Sequence, residues 1–578
     1  MTMKRGRMIL LSLLLLIPLI LVHGQHTYPV NYFRSPVNFP VSLAGSFGEI
    51  RKNHFHSGID IRTEGVQGKP IYAIADGYVS RVNVSPGGFG NALYISHPNG
   101  YTSLYAHLRG YAGAIATWVR ARQYKLESFA IDVEVPQGML KVKKGDLIAY
   151  SGNSGASGGP HLHFEIRETQ SQEIIDPLDF GFMKRDGIPP KISWVKIYPL
   201  GENSTVNSDS HAVLIPATGS DGNYKLKISD TVKVSGNIIF GIETSDNAEG
   251  GLKTGVHGID LTVDGVKVFS QNIEQFAFAE TRYANSLMDY PAFIQNRRKI
   301  NRSYVSPNNK LGVYSDVKNR GVLNFTDSKL HKIQYSVRDA FGNTAILVFW
   351  VKSRPPALEG TPIHPPANAP AQVFTYKADN QFDRSNLKFS VPKEALYEDL
   401  PFEYVVTPPT NGSYAYVHHL HNLYTPLHTY CTLSIKAESL PEHLYGKAVI
   451  VSVEPGSHFS SKGGTYENGW VTTRIRDFGN YTVAVDTEPP VIRPINIFPN
   501  KKVKKQSSIL IKISDNLSGI KVYRGTLNGK WILMAYDEKN RLLTYSFDEN
   551  MKPGKNLFVL MVADAVGNST LYKATLIR

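Results

Sequence analysis

The chain has almost no cysteine: Cys431 is the single one among 578 residues. One thiol cannot form an intramolecular disulfide, so packing and bound metal must stabilise the fold. We expect Cys431 to be an inert core residue, because no activating partner stands near it. The sequence also lacks a His-Glu-x-x-His segment, which excludes a metal site carried on one helix by two histidines four residues apart.

Long runs of basic residues are also absent, although Lys and Arg outnumber Asp and Glu by 63 to 49 and the net charge is +14. No nucleic-acid-binding motif accompanies this charge, and we expect no nucleic-acid partner. A diffuse positive charge on an exported protein favours retention near anionic polymers or anionic lipid headgroups.

Long apolar runs are limited to the start of the chain. Residues 8–22 form an apolar run of 15 residues, shorter than the roughly 20 that span a bilayer. Lys4, Arg5 and Arg7 precede it, and small residues at Val22 and Gly24 suit cleavage before Gln25. Residues 1–24 are therefore predicted to be a signal peptide, with an uncleaved anchor as the alternative. No cysteine stands near the cleavage point, so we expect no lipoprotein anchor, and no transmembrane domain after cleavage.

The length predicts three to five domains, at roughly 100–200 residues each. Proline pairs at 189–190, 355–356 and 489–490 fix an extended backbone and indicate domain entries. The sequence predicts a mainly β fold. The predicted units are an antiparallel β domain at 28–185 (core 36–180, insertion about 109–140), a β-sandwich at 187–355, a β-rich middle module at 357–486 and an immunoglobulin-like sandwich at 487–578.

An Asp…Gly-Asn element recurs before the last strand of three segments. It begins at Asp339, Asp477 and Asp564, and each copy is followed by an alternating apolar run. Aspartate, glycine and asparagine are favoured in tight turns, so we expect a hairpin at each copy. The repeat predicts two or three tandem sandwiches resembling immunoglobulin-like modules. In the first unit, residues 110–138 interrupt the strand rhythm, and 114–120 are predicted to form a short helix.

Candidate metal ligands stand in the first 165 residues. His56 and Asp60 are four apart, and the pattern Ile59-Asp60-Ile61 predicts a strand that buries both isoleucines and turns Asp60 to the other face. His54 competes with His56 but has no acid four residues on. His161 and His163 are two apart and share one face of a predicted strand.

These residues together specify a hydrolytic centre. A catalytic zinc takes three protein ligands and leaves a fourth position open, and His56, Asp60 and His163 supply three. His161 lies close enough to serve as general base, and His107 is positioned to donate a hydrogen bond to an oxyanion.

The order of these motifs resembles the lysostaphin-like (LytM-type) zinc endopeptidases of peptidoglycan. The resemblance covers roughly residues 36–180 and rests on His-x-x-x-Asp, Tyr-Ala-His-Leu ending at Leu108, and Gly-Pro-His-Leu-His-Phe-Glu ending at Glu165. Further matching segments are 46–48, 75–79, 90–91, 142–146 and 151–155. The resemblance implies one zinc per peptidase domain held by His56, Asp60 and His163, and catalytic roles for His107 and His161.

The resemblance also implies a substrate and a location. We expect the chain to hydrolyse peptidoglycan cross-bridges in the periplasm or cell envelope of a Gram-negative-type bacterium, with secretion as the alternative. The β modules are expected to position it or to dock an envelope protein. Two other functions remain open: an occluded or non-catalytic scaffold or activator of cell-wall hydrolases, and an endopeptidase acting on Gly-rich extracellular proteins. The insertion at 109–140 is expected to rim or cover the groove and to be a candidate autoinhibitory element.

Overall fold

The computed structural model describes residues 28–183, 187–248, 252–355, 370–456 and 458–578. The predicted signal peptide and Pro356 of the second proline pair lie outside the described residues. Strands predominate throughout, which confirms the mainly β fold class. In the part of the chain that is described, no helix is both long and apolar enough to cross a membrane.

The N-terminal unit (28–183) is an antiparallel β domain. Its strands are β1 (Leu43–Gly45), β2 (Ile50–Arg51), β3 (His54–Phe55), β4 (Ile59–Arg62), β5 (Pro70–Tyr72), β6 (Gly77–Val84), β7 (Asn91–Ser96), β8 (Tyr101–Ala106), β9 (Gly110–Tyr111), β10 (Ile131–Glu134), β11 (Lys141–Val142), β12 (Leu147–Tyr150), β13 (His161–Glu168) and β14 (Ile174–Ile175). Helix α1 (Gly113–Leu126) follows β9, and a 3-10 turn covers Pro177–Phe180.

The main sheet of this unit has the order β1-β4-β13-β8-β7-β6-β10, and β5-β12-β9 form a smaller sheet. Apolar residues of β4 and β13 share one core with those of β5 and β12, so this core lies between the two sheets. The opposite face of β4 and β13 carries polar side chains. Alternation along these two central strands therefore separates the core from this polar face.

The second unit (187–355) continues from the first. Its elements are β15 (Lys191–Val206), β16 (Val213–Ser220), β17 (Asn223–Leu226), β18 (Val232–Ala248), β19 (Leu252–Thr254), β20 (Gly258–Val263), β21 (Val266–Asn272), β22 (Gln275–Phe276), α2 (Ala284–Leu287), α3 (Tyr290–Asn296), β23 (Ile300–Arg302), β24 (Tyr314–Ser315), β25 (Leu323–Phe325), β26 (Leu330–Arg338) and β27 (Thr344–Arg354). Strand β22 pairs with β14, so the two units share a sheet edge. Phe47 of the first unit stacks on Phe276 with ring centroids 4.9 Å apart.

The third unit (370–486) is a sandwich of two five-stranded sheets with the orders β29-β30-β34-β38-β37 and β32-β33-β39-β35-β36. Its strands are β28 (Gln372–Phe374), β29 (Asn380–Arg384), β30 (Leu387–Val391), β31 (Leu400–Phe402), β32 (Tyr404–Thr407), β33 (Val417–Leu420), β34 (Pro426–Lys436), β35 (Ala448–Glu454), β36 (His458–Ser461), β37 (Thr465–Glu467), β38 (Trp470–Asp477) and β39 (Gly479–Val485). Cys431 is fully buried in its core, as predicted.

The C-terminal unit (487–578) also packs two sheets around one core, with the orders β40-β42-β46-β45 and β41-β48-β47-β43-β44. Its strands are β40 (Val491–Pro494), β41 (Lys501–Lys502), β42 (Ser508–Ser514), β43 (Ile520–Leu527), β44 (Lys530–Trp531), β45 (Ala535–Asp537), β46 (Leu542–Ser546), β47 (Lys555–Asp564) and β48 (Ser569–Ile577).

Two of the three predicted Asp…Gly-Asn hairpins have the same geometry. Asp339 accepts backbone hydrogen bonds from residues two and four positions ahead, and Asp564 does the same at its own turn. The hairpin predicted at Asp477 is wrong. Strand β38 ends there, and β39 begins at Gly479 in the opposite sheet, so this connection crosses the sandwich instead of reversing within a sheet.

Candidate metal centre

Three of the predicted site residues converge at the junction of β4 and β13. Asp60 lies directly opposite His163 across the two antiparallel strands, and His56 directly follows β3, at the start of the three-residue connection to β4. All three are buried, with 3 to 6% of their surface exposed. Ile59 and Ile61 face the core on either side of Asp60, so the strand alternation turns the carboxylate toward the histidines.

The ligand atoms of these residues form a tight triangle. Asp60 Oδ1 lies 3.0 Å from His56 Nε2 and 2.9 Å from His163 Nδ1, and the two ring nitrogens are 3.1 Å apart. Zinc bonds of about 2.0–2.1 Å in tetrahedral geometry place ligand atoms about 3.3 Å apart, close to these separations. Burial of two imidazole nitrogens and a carboxylate oxygen this close together is favourable when they share a bound cation. Nitrogen and carboxylate donors are zinc ligands, so the donor set fits zinc.

The outer nitrogens of both candidate ligand histidines are held by hydrogen bonds. His56 Nδ1 donates to the Ser46 carbonyl over 2.7 Å, which leaves Nε2 free for the cluster. His163 Nε2 donates to Glu165 Oε1 over 2.9 Å, which leaves Nδ1. Arg167 Nε in turn donates to the second oxygen of the fully buried Glu165 over 2.7 Å. Such outer partners fix the ring tautomer and orientation that a metal requires.

His161 and His107 lie beside this cluster. His161 Nε2 is 3.3 Å from Asp60 Oδ1, and its Nδ1 donates to the Gly159 carbonyl over 2.8 Å. His107 Nδ1 donates to the Ser154 carbonyl over 2.8 Å, and its ring centroid is 4.8 Å from that of His161. The structure thus brings all five predicted residues together. His54 is exposed and bonds the Lys52 carbonyl instead.

Burial and mutual contacts set the protonation of the cluster. Burial lowers the pKa of His56, although Asp60 opposes this effect. Burial also lowers the pKa of His163, but hydrogen bonds to Asp60 and Glu165 outweigh it and raise this pKa to about 9. The pKa of Asp60 is lowered, because its burial is outweighed by the charge of His56 and by its side-chain contacts with the three surrounding histidines.

The pKa of His107 is lowered to about 3, first by burial and then by the charges of His163 and His161. His107 is therefore neutral at physiological pH. Its Nδ1 hydrogen points at Ser154, so Nε2 carries a lone pair. The sequence-based role of hydrogen-bond donor to an oxyanion disagrees with this tautomer, because neutral His107 accepts at Nε2.

Several functional contacts were not identified from the sequence. Glu165 and Arg167 lie on the same face of β13 as His161 and His163, and this alternation is readable in the sequence. Arg51 Nη2 lies 3.0 Å from Asp60 Oδ2, and no local sequence pattern predicts this contact. The carbonyls of Ser46, Ser154 and Gly159 could not have been assigned, because any residue type offers a carbonyl.

Comparison with known proteins assigns two parts of the chain. Residues 54–124 and 128–177 match the sequence profile described as peptidase family M23, and residues 371–486 match that of the Zu5-like domain. The chain is 32% identical over 116 residues to lipoprotein NlpD of Yersinia enterocolitica, a match that covers 20% of this chain and 93% of that protein.

Other relatives share only the N-terminal unit. DD-carboxypeptidase/endopeptidase Mpg of Neisseria meningitidis serogroup B is 37% identical over 112 residues, or 19% of this chain and 20% of that protein. The match thus spans about a fifth of this relative's length. Among solved structures, the catalytic domain of the antimicrobial peptidase lysostaphin from Staphylococcus simulans is 24% identical with a TM-score of 0.19, covering 24% of this chain and 91% of that domain.

Proposed function

The chain belongs to peptidase family M23, and from that premise we propose that it is a zinc-dependent endopeptidase that hydrolyses peptide cross-links of peptidoglycan. The observation that carries the proposal is the buried triangle of His56, Asp60 and His163 with two further histidines beside it. The names of the relatives, which include a DD-carboxypeptidase/endopeptidase, support this substrate class. The net charge of +14 suits an anionic wall polymer.

His56 Nε2, Asp60 Oδ1 and His163 Nδ1 would hold the zinc. When bound there, zinc supplies Lewis-acid polarisation of the scissile carbonyl and lowers the pKa of the attacking water. The protein contributes the orientation. Glu165 and the Ser46 carbonyl hold the two ligand rings from behind, and the buried position of all three ligands excludes bulk water.

His161 would transfer a proton of the attacking water, and His107 would orient that water. His161 Nε2 accepts a proton from the water as its oxygen bonds to the scissile carbonyl carbon, because its Nδ1 hydrogen is already committed to Gly159. His107 Nε2, also an acceptor, orients the second hydrogen of the water. When the C–N bond breaks, protonated His161 returns the proton to the leaving nitrogen. The second hydrogen stays on the new carboxyl group, which then loses it to the solvent, so the products are a carboxylate, a free amine and one released proton.

Purified protein incubated with muropeptide dimers provides the test, with the products identified by mass spectrometry. We expect cleavage that stops with a chelator and returns with zinc. His163→Ala should abolish it, whereas His54→Ala, which alters an exposed histidine outside the cluster, should not. Full activity in His163→Ala would sink the ligand assignment. Bound zinc without turnover would favour a scaffold, and cleavage of Gly-rich proteins alone would replace the substrate.

Export accompanies this proposal. We propose a periplasmic or envelope location with residues 1–24 as the signal. Fractionation of the producing cell, with N-terminal sequencing of the mature protein, tests both points: Gln25 as the first residue is the expected result.

A further inference from the structure

A glycine-rich loop joins β12 to β13 and bonds the rings of His107 and His161, the two histidines of the site that are not candidate metal ligands. This Gly-rich loop (residues 152–159) supplies the Ser154 carbonyl to His107 Nδ1 and the Gly159 carbonyl to His161 Nδ1, each over 2.8 Å. Ser157 Oγ lies 3.2 Å from the same nitrogen of His161. The path of this loop therefore decides where both rings point.

The first half of the loop is anchored within the N-terminal unit. Ser154 Oγ accepts from the Asn91 backbone over 2.9 Å and donates to the Leu108 carbonyl over 2.8 Å. Gly155, at a φ of 68°, packs so closely on Gly90 that a Cβ would lie 2.4 Å from the Gly90 nitrogen. The carbonyl that orients His107 is thus fixed by contacts inside its own unit.

The second half of the loop has little of this support. A Cβ placed on Gly158 or on Gly159 would meet no other heavy atom within 4 Å, so both glycines lie in open space. Glycine loses more backbone freedom on ordering than any other residue, and holding such a segment in one conformation is costly. The Ser157 hydroxyl bonds the Gly159 carbonyl over 2.8 Å, but this contact is internal to the segment.

The anchor for this half comes from the C-terminal unit. Lys539, in the turn between β45 and β46, places its Nζ 3.0 Å from the Ser157 carbonyl, and the same ammonium donates to the Asn153 carbonyl. One side chain from a unit almost 400 residues away thus bonds one carbonyl in each half of the Gly-rich loop. Hydrogen bonds from an ionised donor are stronger than those between neutral groups.

Helix α1 holds the C-terminal unit in this place. Arg120 Nη2 lies 2.6 Å from Glu549 Oε2, and Tyr124 donates a hydrogen bond to Asp548. The ring of Tyr124 meets that of Trp531 edge to face, with centroids 5.2 Å apart. The helix within the insertion is therefore a docking face for the C-terminal unit, and Lys539 does not have to dock that unit alone.

We infer that Lys539 is a positioning residue for His161, which it orients through the Ser157–Gly159 half of the Gly-rich loop. The inference rests on the proposed function, because it concerns the base of that reaction. The C-terminal unit thereby completes the site of the N-terminal unit. Without the lysine, the Ser157 carbonyl loses this bond, and the internal contact from the Ser157 hydroxyl to the Gly159 carbonyl no longer has a fixed base. The Gly159 carbonyl then moves relative to the ring of His161, which loses its preference for the tautomer with the hydrogen on Nδ1. His107 keeps its own anchor and is unaffected.

The experiment compares Lys539→Met, Lys539→Arg and Lys573→Met in the full-length protein. Methionine keeps most of the side-chain length but removes every donor, whereas arginine can still donate to both carbonyls. Lys573 is an exposed lysine of β48 in the same unit and provides the matched control. We expect Lys539→Met to lower kcat on muropeptide dimers about three- to tenfold, with KM and zinc affinity unchanged within about twofold. Lys539→Arg should restore most of the loss, and Lys573→Met should match the wild type.

A second readout does not depend on turnover. In protein labelled with nitrogen-15 at histidine, the shifts of the two ring nitrogens report the tautomer. We expect His161 to move from the Nδ1–H tautomer toward an average of both in Lys539→Met, with His107 unchanged. An unchanged His161 in that variant, or no recovery with Lys539→Arg, would overturn the inference. If the wild type cleaves no muropeptide, the proposed function fails while the spectra still test the role of Lys539.

Discussion

Arg51 Nη2 donates to Oδ2 of Asp60 over 3.0 Å, so the other carboxylate oxygen, Oδ1, is the one that faces His56 and His163. The guanidinium is itself linked to the second unit. Glu49 Oε2 lies 3.7 Å from Arg51, and Lys299 Nζ lies 2.6 Å from the other oxygen of Glu49. This chain of charges fixes which oxygen of Asp60 is offered to a metal.

The first prediction concerns this orientation. In Arg51→Met, Asp60 is free to rotate and to rehydrate, so we expect zinc to bind about tenfold more weakly. Lys299→Met, which removes the outermost charge, should have an effect of only about twofold, because the outer charges are partly exposed and screened. Competition with a chromophoric chelator measures both affinities. Equal zinc affinity in Arg51→Met and wild type would show that Asp60 is held without the arginine.

The second prediction concerns Glu165, which is fully buried between His163 and Arg167. Glu165→Gln keeps the shape but removes the charge that both neighbours require, so we expect zinc affinity to fall about 10- to 100-fold. The variant should also unfold at a lower temperature, since it leaves a buried guanidinium without its carboxylate. Glu134→Gln changes an exposed glutamate of the same unit and serves as the control. A loss of stability with unchanged zinc affinity would mean that Glu165 supports the fold alone.

The third prediction is a pH dependence of zinc binding. The pKa of His163 in the metal-free protein is about 9, because its hydrogen bonds to Asp60 and Glu165 outweigh burial. Zinc needs the Nδ1 lone pair and must displace that proton below this pH. We expect zinc binding to release about one proton between about pH 7 and 9, and the affinity to rise about tenfold per pH unit there. Calorimetry in buffers of different ionisation enthalpy counts the protons, and an affinity that stays flat over this range would contradict the prediction.

The raised pKa of His163 also affects the stability of the metal-free fold, but with the opposite pH dependence. A folded pKa raised above the unfolded value of about 6.5 contributes stability that is fully present below about pH 6.5. That contribution is lost as the pH rises through about 9. Thermal unfolding of chelator-treated protein should therefore show this group losing its effect over the range in which zinc gains affinity.

The strand-borne part of the site could be predicted from the sequence because alternation is a local rule. Alternation predicts which side chains share a face in Ile59-Asp60-Ile61 and in His161-Leu162-His163. The structure places these side chains on the predicted faces. The contacts of the Gly-rich loop could not be predicted, because they depend on backbone carbonyls and on a lysine from another unit. The Asp477 turn failed for a related reason: its residues suit a hairpin, but the chain there passes between two sheets. The residue types at Asp477 are those of the turns at Asp339 and Asp564. Tertiary placement therefore decided whether a hairpin formed.

The fourth prediction concerns coupling between Tyr124 and Lys539, which contact the interface from opposite sides. Tyr124→Leu removes the hydrogen bond to Asp548 and the edge contact with Trp531, so the C-terminal unit should dock less firmly on α1. Because Lys539 reaches the Gly-rich loop only while that unit is docked, Tyr124→Leu should lower kcat in the same sense as Lys539→Met. The double variant should then be barely slower than the slower single variant, since both changes break one connection. Full multiplication of the two losses would mean that the tyrosine and the lysine act on the site independently. Tyr111→Leu removes a partly buried tyrosine that bonds the Ala92 carbonyl within the N-terminal unit, and this control identifies losses due to general destabilisation.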